Sequence, residues 1–379
     1  MQLNDDNAGV AWYGECLLIF RKRLTKIAAG FIEVARAAEL VRSLAENKVI
    51  EHVETSEDAI VFSGISNSEF ADELTGRTVK SVGRYGKVFY LELDGDGRMP
   101  VLHFGMTGML QVKGTLPLYY RAAPRKASID WPPRFMKFIL HIRAVDAPPD
   151  EHSTQIAFLD ARRLGRIRLC QTPLTEPPIS NMGFDPILGM PDLEDFRKSV
   201  LKRTCPIKAL LLDQSFSAGV GNWVADEILY HARVHPEQRC NTLTDEQTLA
   251  LHHQTSEVCR FAVSVNADDS KFPEDWLFKH RWGKGKKSER ESVLKLPSGQ
   301  PATIRWITVG GRTSAYVVEL QHLRSPSKTA SLTESIQQED AAESDLTPVS
   351  GSDTEPVVET TKSRGKKVRR SVVPVQSES

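Results

Sequence analysis

The chain has little cysteine and no cysteine pairing pattern. Its five cysteines, at positions 16, 170, 205, 240 and 259, include no Cys-x-x-Cys. A disulfide framework and close metal-ligand spacing are both absent, and a reducing compartment is the plain expectation. No apolar run is long enough to span a bilayer. The short stretch Cys16-Leu17-Leu18-Ile19-Phe20 is followed, not preceded, by Arg21-Lys22-Arg23, the wrong order for a secretory signal. No membrane partner is expected. Net charge is missing too, since 49 basic and 49 acidic residues cancel. That balance does not exclude nucleic acid, because binding depends on charge clustered at a surface rather than on the total. No internal repeat is present.

What is present is enough for two or three domains: 379 residues, 40% of them hydrophobic. Phe31 to Val49 reads as a helix, with Phe31, Val34, Ala38 and Val41 on one face. From Ile60 to Leu110 the pattern changes to short β-prone runs. Val88–Leu93 and Val101–Phe104 read as strands joined by a turn at Asp94-Gly95-Asp96-Gly97. Phe138–Ile142 and Gln155–Leu159 extend the β-rich region, and a helix followed by many short strands suggests a sandwich or barrel. Pro173 to Pro186 carries four prolines and reads as a linker. Helical periodicity then returns from about Leu193 to Val265. Trp276 to Leu323 is basic, then β-prone. From about Ser325 the sequence lacks apolar periodicity and is expected to be disordered. It ends in the basic run Lys362-Ser363-Arg364-Gly365-Lys366-Lys367-Val368-Arg369-Arg370, a nuclear-import or nucleic-acid patch or simply a solvated tail.

The most informative stretch is Ala218-Gly219-Val220-Gly221-Asn222-Trp223, leading into Val224 to Tyr230. Two glycines spaced by one residue allow a tight turn. The apolar spacing that follows fits a helix face, so backbone N–H groups and an Asn amide meet at a helix N-terminus, a place to hold a phosphate. The run, with Ala-x-Glu in its helix and Val234-His235-Pro236 beyond it, resembles the helix-two-turns-helix element of the formamidopyrimidine-DNA glycosylases.

Five further motifs resemble that family in the same order. Gly83-Arg84-Tyr85-Gly86-Lys87 precedes a strand; a lysine there is commonly a solvated charge, but the resemblance places Lys87 in the active site, on the nucleotide phosphate, with a proton-donor role. His103-Phe104-Gly105-Met106-Thr107-Gly108 is similar to the family's His-Leu-Gly-Met-Ser-Gly. It implies that Met106, flexible and apolar, fills the void left by an extruded base. Asp160-Ala161-Arg162-Arg163-Leu164-Gly165 resembles Asp-Pro-Arg-Arg-Phe-Gly, so that Arg162 and Arg163 would bond the orphaned base and a phosphate. Leu164 replaces the family's Phe wedge, which implies altered damage probing. Lys202-Arg203-Thr204-Cys205-Pro206-Ile207-Lys208 resembles the basic entry to the helical element, with Lys202 and Lys208 as phosphate contacts and a solvated helix start as the other reading. Thr308-Val309-Gly310-Gly311-Arg312-Thr313 reads as a hairpin with positive φ at its turn. Having no cysteine, it looks like the zincless finger of plant and fungal relatives, with Trp282 and Trp306 as candidate packing and Arg312 on the damaged nucleotide's phosphate. Asn222 would hold a flanking phosphate.

The resemblance implies an α+β multidomain protein without metal or cofactor. The expected parts are an N-terminal extension (1–30), an N-terminal helix plus β-sandwich domain (31–172), a helix-two-turns-helix domain (185–275), a zincless β-hairpin finger (276–323) and a disordered tail (324–379). It implies a nuclear, monomeric DNA glycosylase and apurinic/apyrimidinic lyase of base excision repair, which removes oxidised purines from double-stranded DNA and nicks by β,δ-elimination. One departure bears on activity. The family's chain starts Pro-Glu, and the proline's secondary amine attacks the sugar C1′ to form a Schiff base. Glu33-Val34 aligns with the family's first helix, so Ala29 and Gly30 occupy the Pro and Glu positions. An internal amide is no nucleophile, and neither residue supplies a carboxylate. The abrupt switch at this point favours a misplaced start or an alternative first exon. The other explanation is a product that binds damaged or abasic DNA without cutting it. An RNA-binding protein is a third class, which Met106, Arg162 and Arg312 argue against.

Overall fold

The computed structural model describes residues 30–115, 129–148, 152–266, 268–282 and 293–324. The extension before Gly30 and the tail after Arg324, with its basic run, lie outside the described residues.

Helix α1 (Phe31–Ala45) is rich in alanine and leucine and is buried on most of its surface. It serves two cores. Phe31 and Ile32 pack with the helical half of the protein, whereas Val34, Ala37, Ala38, Val41, Leu44 and Ala45 pack with the strands. The start of α1 is therefore a joint. The helix stops four residues before the expected Val49. Asn47 takes φ +60 and donates its N–H to the Val79 carbonyl (2.8 Å), turning the chain into β1 (Lys48–Thr55). The apolar residues Val49, Ile50 and Val53 belong to this strand, which the helical periodicity had hidden.

After β1 and the short helix α2 (Asn67–Leu74), seven strands follow: β2 (Val79–Tyr85), β3 (Val88–Leu93), β4 (Met99–His103), β5 (Met109–Val112), β6 (Met136–Ala144), β7 (Thr154–Leu159) and β8 (Arg166–Cys170). They form two antiparallel four-stranded sheets, ordered β1-β6-β7-β5 and β2-β3-β4-β8. Between them runs an aromatic file: Phe62, Phe70, Phe138, Phe158, Phe104 and Phe89, with successive ring centroids 5.1–5.6 Å apart. Burying each such ring is worth about 1.5–3 kcal/mol.

The helical half contains α3 (Leu193–Leu201), α4 (Ile207–Leu212), α5 (Asn222–His231) and α6 (Asp245–Ser264). The hairpin of β9 (Ile304–Val309) and β10 (Arg312–Val317) turns at Gly310 and Gly311, with φ +58 and +72. A Cβ on Gly310 would lie 3.1 Å from that of Ala209, so the hairpin turn rests on α4.

Two glycines let the halves meet. Gly219 has φ +95, and a Cβ there would fall 2.9 Å from Phe31 Cδ2 and 3.2 Å from Gly86 Cα. The α4–α5 turn thus touches the β2–β3 turn and the first residue of α1 without an intervening side chain. Asp185, fully buried in the proline-rich segment, locks the contact. It accepts the Gly86 N–H (2.9 Å) and both guanidinium arms of Arg84 (2.6 and 3.1 Å).

Candidate functional site

The joint places Lys87 where sheet, helix and turn converge. Its Nζ donates to the Val220 carbonyl (3.3 Å), in the turn that starts α5. Glu33 stands in the first turn of α1, fully enclosed, accepting the Gly30 N–H at 2.8 Å. Burial pushes its carboxyl up, within the field of Arg36 and Lys87. On the other side, burial first and then Lys87, Arg166 and Arg168 push His103 down to about 4. Its neutral ring is free to accept the Gly105 N–H at Nδ1 (3.2 Å). The site is a lysine between a buried carboxyl and an uncharged imidazole, at the mouth of β3.

The motif around Met106 and the motif around Arg162 form one surface. Asp160, fully buried, accepts the Thr107 hydroxyl (2.7 Å), the Arg162 N–H (3.2 Å) and the Gly165 N–H (2.6 Å). A side chain on Gly105 would collide with the Leu164 backbone at 2.5 Å, so glycine is what lets the two loops close. Met106 and Leu164 are left half-exposed, and Arg162 exposed.

Arg163 departs from the expected pattern. It sits at φ +58 with its guanidinium on Asp58, Nε and Nη2 at 3.0 and 2.9 Å. Asp58 also holds Lys137 (2.7 Å). Burial alone would raise the Asp58 carboxyl, but Arg163 and Lys137 outweigh it and hold it far below the usual range. Arg163 therefore anchors the loop that presents Arg162, and a base or phosphate would have to compete with Asp58 for it.

Lys208 requires a correction. Expected as a phosphate contact, or else as a solvated charge at a helix start, it has no exposed surface. Its Nζ donates to Asp226, to the Asn222 carbonyl (3.0 Å) and to the Ser314 hydroxyl (3.5 Å). Lys202, at the end of α3, remains exposed and available to a phosphate. Asn222 begins α5 as expected, but its amide donates to the Thr313 carbonyl (3.0 Å), so it ties the turn to the finger. A phosphate could use only its other amide hydrogen. Arg312 flanks the finger turn, opposite Val309 in the ladder, and is half-exposed.

The residue that sequence reasoning missed is Asp226. Its carboxylate gathers Lys208, the Ser314 hydroxyl (2.6 Å), the Ala315 N–H (3.2 Å) and Arg281 through Nη2 and Nε (2.7 and 3.1 Å). Burial opposes its ionisation, but Lys208 and Arg281 prevail and hold it low. One carboxylate thus joins α4, α5, the segment before the finger and β10. Its neighbour Glu227 accepts the N–H groups of Leu277 and Phe278 (3.0 and 2.8 Å). Trp306 donates to the Arg281 carbonyl (2.9 Å), and Arg281 lies 4.3 Å over the Trp282 ring. The only available signal was an acidic pair, Asp226-Glu227, inside an otherwise apolar helix. Among the described residues no group of three or more His, Cys, Asp or Glu could hold a metal ion.

Comparison with known proteins decides the family. The model of the formamidopyrimidine-DNA glycosylase N-terminal domain matches residues 31–167, and that of the same enzymes' H2TH domain residues 182–274. Formamidopyrimidine-DNA glycosylase of Arabidopsis thaliana is 38% identical over 291 residues, 77% of this chain and 70% of that protein. The chain belongs to the formamidopyrimidine-DNA glycosylase family. The Bacillus subtilis formamidopyrimidine-DNA glycosylase is 28% identical, over 62% of this chain and 77% of its own. The fold agrees with the Lactococcus lactis formamidopyrimidine-DNA glycosylase, solved non-covalently bound to AP-site-containing DNA. The match has a TM-score of 0.59 at 23% identity and covers 77% of this chain and 99% of that one. In formamidopyrimidine-DNA glycosylase terms, the joint holding Lys87 is the meeting of the N-terminal domain with the H2TH turn.

Proposed function

We propose that this protein acts on double-stranded DNA containing oxidised purines, removing 8-oxoguanine and formamidopyrimidines and nicking the abasic product by β,δ-elimination. The observation that carries this is the convergence of Lys87, the α1 start and the Gly219–Gly221 turn, beside the Met106–Leu164 surface that Asp160 holds together. Family membership favours an enzyme over a protein that only binds damage. In this reading Lys87 contacts the phosphate and delivers a proton. Met106 fills the stack, Arg162 bonds the orphaned base, and Lys202, Asn222 and Arg312 hold the backbone.

The glycosylase step needs an amine at the start of α1, where this sequence has Ala29 and Gly30. Borohydride trapping on an abasic duplex tests the reading. A version with Pro-Glu as its first residues, directly before Phe31, should become covalently attached, and the chain with Ala29-Gly30 should not. Equal trapping would remove the N-terminal amine from the chemistry.

Arg312→Ala should flatten the dependence of log affinity on log salt by about one unit, because one phosphate neutralisation is lost. Anisotropy titrations over a salt series with undamaged duplex read this directly, since a phosphate contact carries no sequence information. An unchanged slope would take the finger turn off the DNA. Nuclear residence is supported by the basic run Lys362–Arg370. A reporter fusion lacking residues 362–370 should lose nuclear accumulation, and retention would refute the assignment.

A further inference from the structure

Two cysteines that the DNA chemistry does not use face each other across a short antiparallel bridge. Pro206 pairs with Arg239. The hydrogen bonds flanking that pair run from the Cys240 N–H to the Cys205 carbonyl (3.0 Å) and from the Ile207 N–H to the Gln238 carbonyl (2.9 Å). Pro206, which has no N–H, sits where the bridge needs none. In this register Cys205 and Cys240 are directly opposite, so their side chains leave on one face. Opposed residues in an antiparallel hydrogen-bonded pair have Cα atoms about 5.5 Å apart, inside the roughly 4.4–6.8 Å window of disulfides.

We propose that Cys205 and Cys240 are a peroxide-reactive thiol pair that closes reversibly into a disulfide. Cys205 is the attacking sulfur, being half-exposed, whereas Cys240 is buried. The Cys240 thiol hydrogen-bonds to Cys205 and lowers it. Burial opposes this, Arg203 adds to it and Asp213 works against it. The same contact, with burial, pushes Cys240 up. Sulfur in the thiolate form is the nucleophile, so the roles follow from the positions. Cys205 sulfur attacks one peroxide oxygen. The O–O bond breaks, and the departing hydroxide takes up the thiol's proton as water, leaving a sulfenic acid. Cys240 sulfur then attacks Cys205 sulfur. The S–S bond forms, the S–O bond breaks, and the hydroxide leaves with the Cys240 proton as a second water. Two thiols and one hydrogen peroxide give one disulfide and two waters.

The ring so closed contains α4, the Gly219–Gly221 turn and α5. Oxidation therefore staples the DNA-gripping element and restricts its unfolded ensemble. Among the described residues, Cys170 and Cys259 are buried and belong to no such pair.

The full chain is treated with graded hydrogen peroxide, alkylated and digested without reductant. A peptide linking Cys205 to Cys240 should appear at doses that leave Cys170 and Cys259 unmodified. The urea midpoint should rise with it, and dithiothreitol should reverse both. Cys205→Ser should abolish the cross-link and the midpoint shift. Cys240→Ser should leave a Cys205 sulfenic acid that dimedone captures. The proposal is overturned if Cys205 advances to sulfinic acid with no linked peptide, if it pairs instead with Cys16 or with a second chain, or if no thiol is preferentially oxidised. The wild-type peptide map decides the matter even if the Cys240 variant fails to fold.

Discussion

Asp226→Ala should destabilise the helical half and its finger by about 3–5 kcal/mol, the range for removing one partner of a buried ion pair. The cost is not the loss of an attraction alone. Arg281, 8% exposed, would keep its charge with no counter-ion in a medium that solvates it poorly. Lys208, 0% exposed and already pushed down to about 8 by burial with Asp226 beside it, would be driven to shed its proton and lose its strongest partner. The Ser314 hydroxyl and the Ala315 N–H would lose their acceptor together, releasing β10 from α5. Urea denaturation gives the magnitude, and protease susceptibility of the segment 293–324 gives the location. Asp226→Asn keeps the shape but not the charge and should fall between wild type and Ala. Replacing Lys208 by Met in the Asp226→Ala background should restore part of the loss, since one buried amine left without its acid partner goes. A drop below about 1 kcal/mol for Asp226→Ala, within the range of an exposed pair, would mean that the finger is held by its apolar contacts. Those contacts are Tyr230, Leu277, Leu294, Ala315 and Val317.

The sequence made the strands and the order of motifs legible because their signals are local. A short, nearly continuous apolar and β-prone run identified β3 over Val88–Leu93, which is buried at every position but Glu92. Gly310-Gly311 announced a turn that does take positive φ at both positions. Trp306 and Trp282 were legible as packing because the segment 276–323 has no cysteine to tie the hairpin to a metal. What the sequence hid was pairing over long separations. Nothing near Lys208 says that its partners lie at positions 226 and 314, so a basic residue at a helix start read as a surface charge. Arg163 was hidden the same way by Asp58, 105 residues away. Arg162 and Arg163 look equivalent in sequence, and only the left-handed turn at Arg163 sends one outward and the other back onto the sandwich. Asp160 and Asp185 are single acids flanked by ordinary loop residues. Their roles, closing two loops and locking two halves, exist only once the chain has folded.

Lys87→Met should slow base release by about 10²–10⁴-fold, the usual contribution of a positioned proton-transfer group. The measurement uses the version with Pro-Glu placed before Phe31, so that the amine is supplied and the lysine alone is varied. Met keeps the unbranched apolar stem of the side chain, one atom shorter, and the Nζ of Lys87 makes a long bond of 3.3 Å to the Val220 carbonyl. Stability should therefore change by less than about 1 kcal/mol. Strand cleavage of a preformed abasic site should suffer less than base release, because in the proposed role the proton from Lys87 serves to expel the base. A structural role would lower both activities together and shift the urea midpoint. A proton-donor role separates them and leaves the midpoint in place. If Lys87→Met releases 8-oxoguanine at the parent rate, the lysine is a phosphate contact only. The donor must then be sought among the other groups at the joint, with Glu33 first, since burial already pushes its carboxyl toward the protonated form.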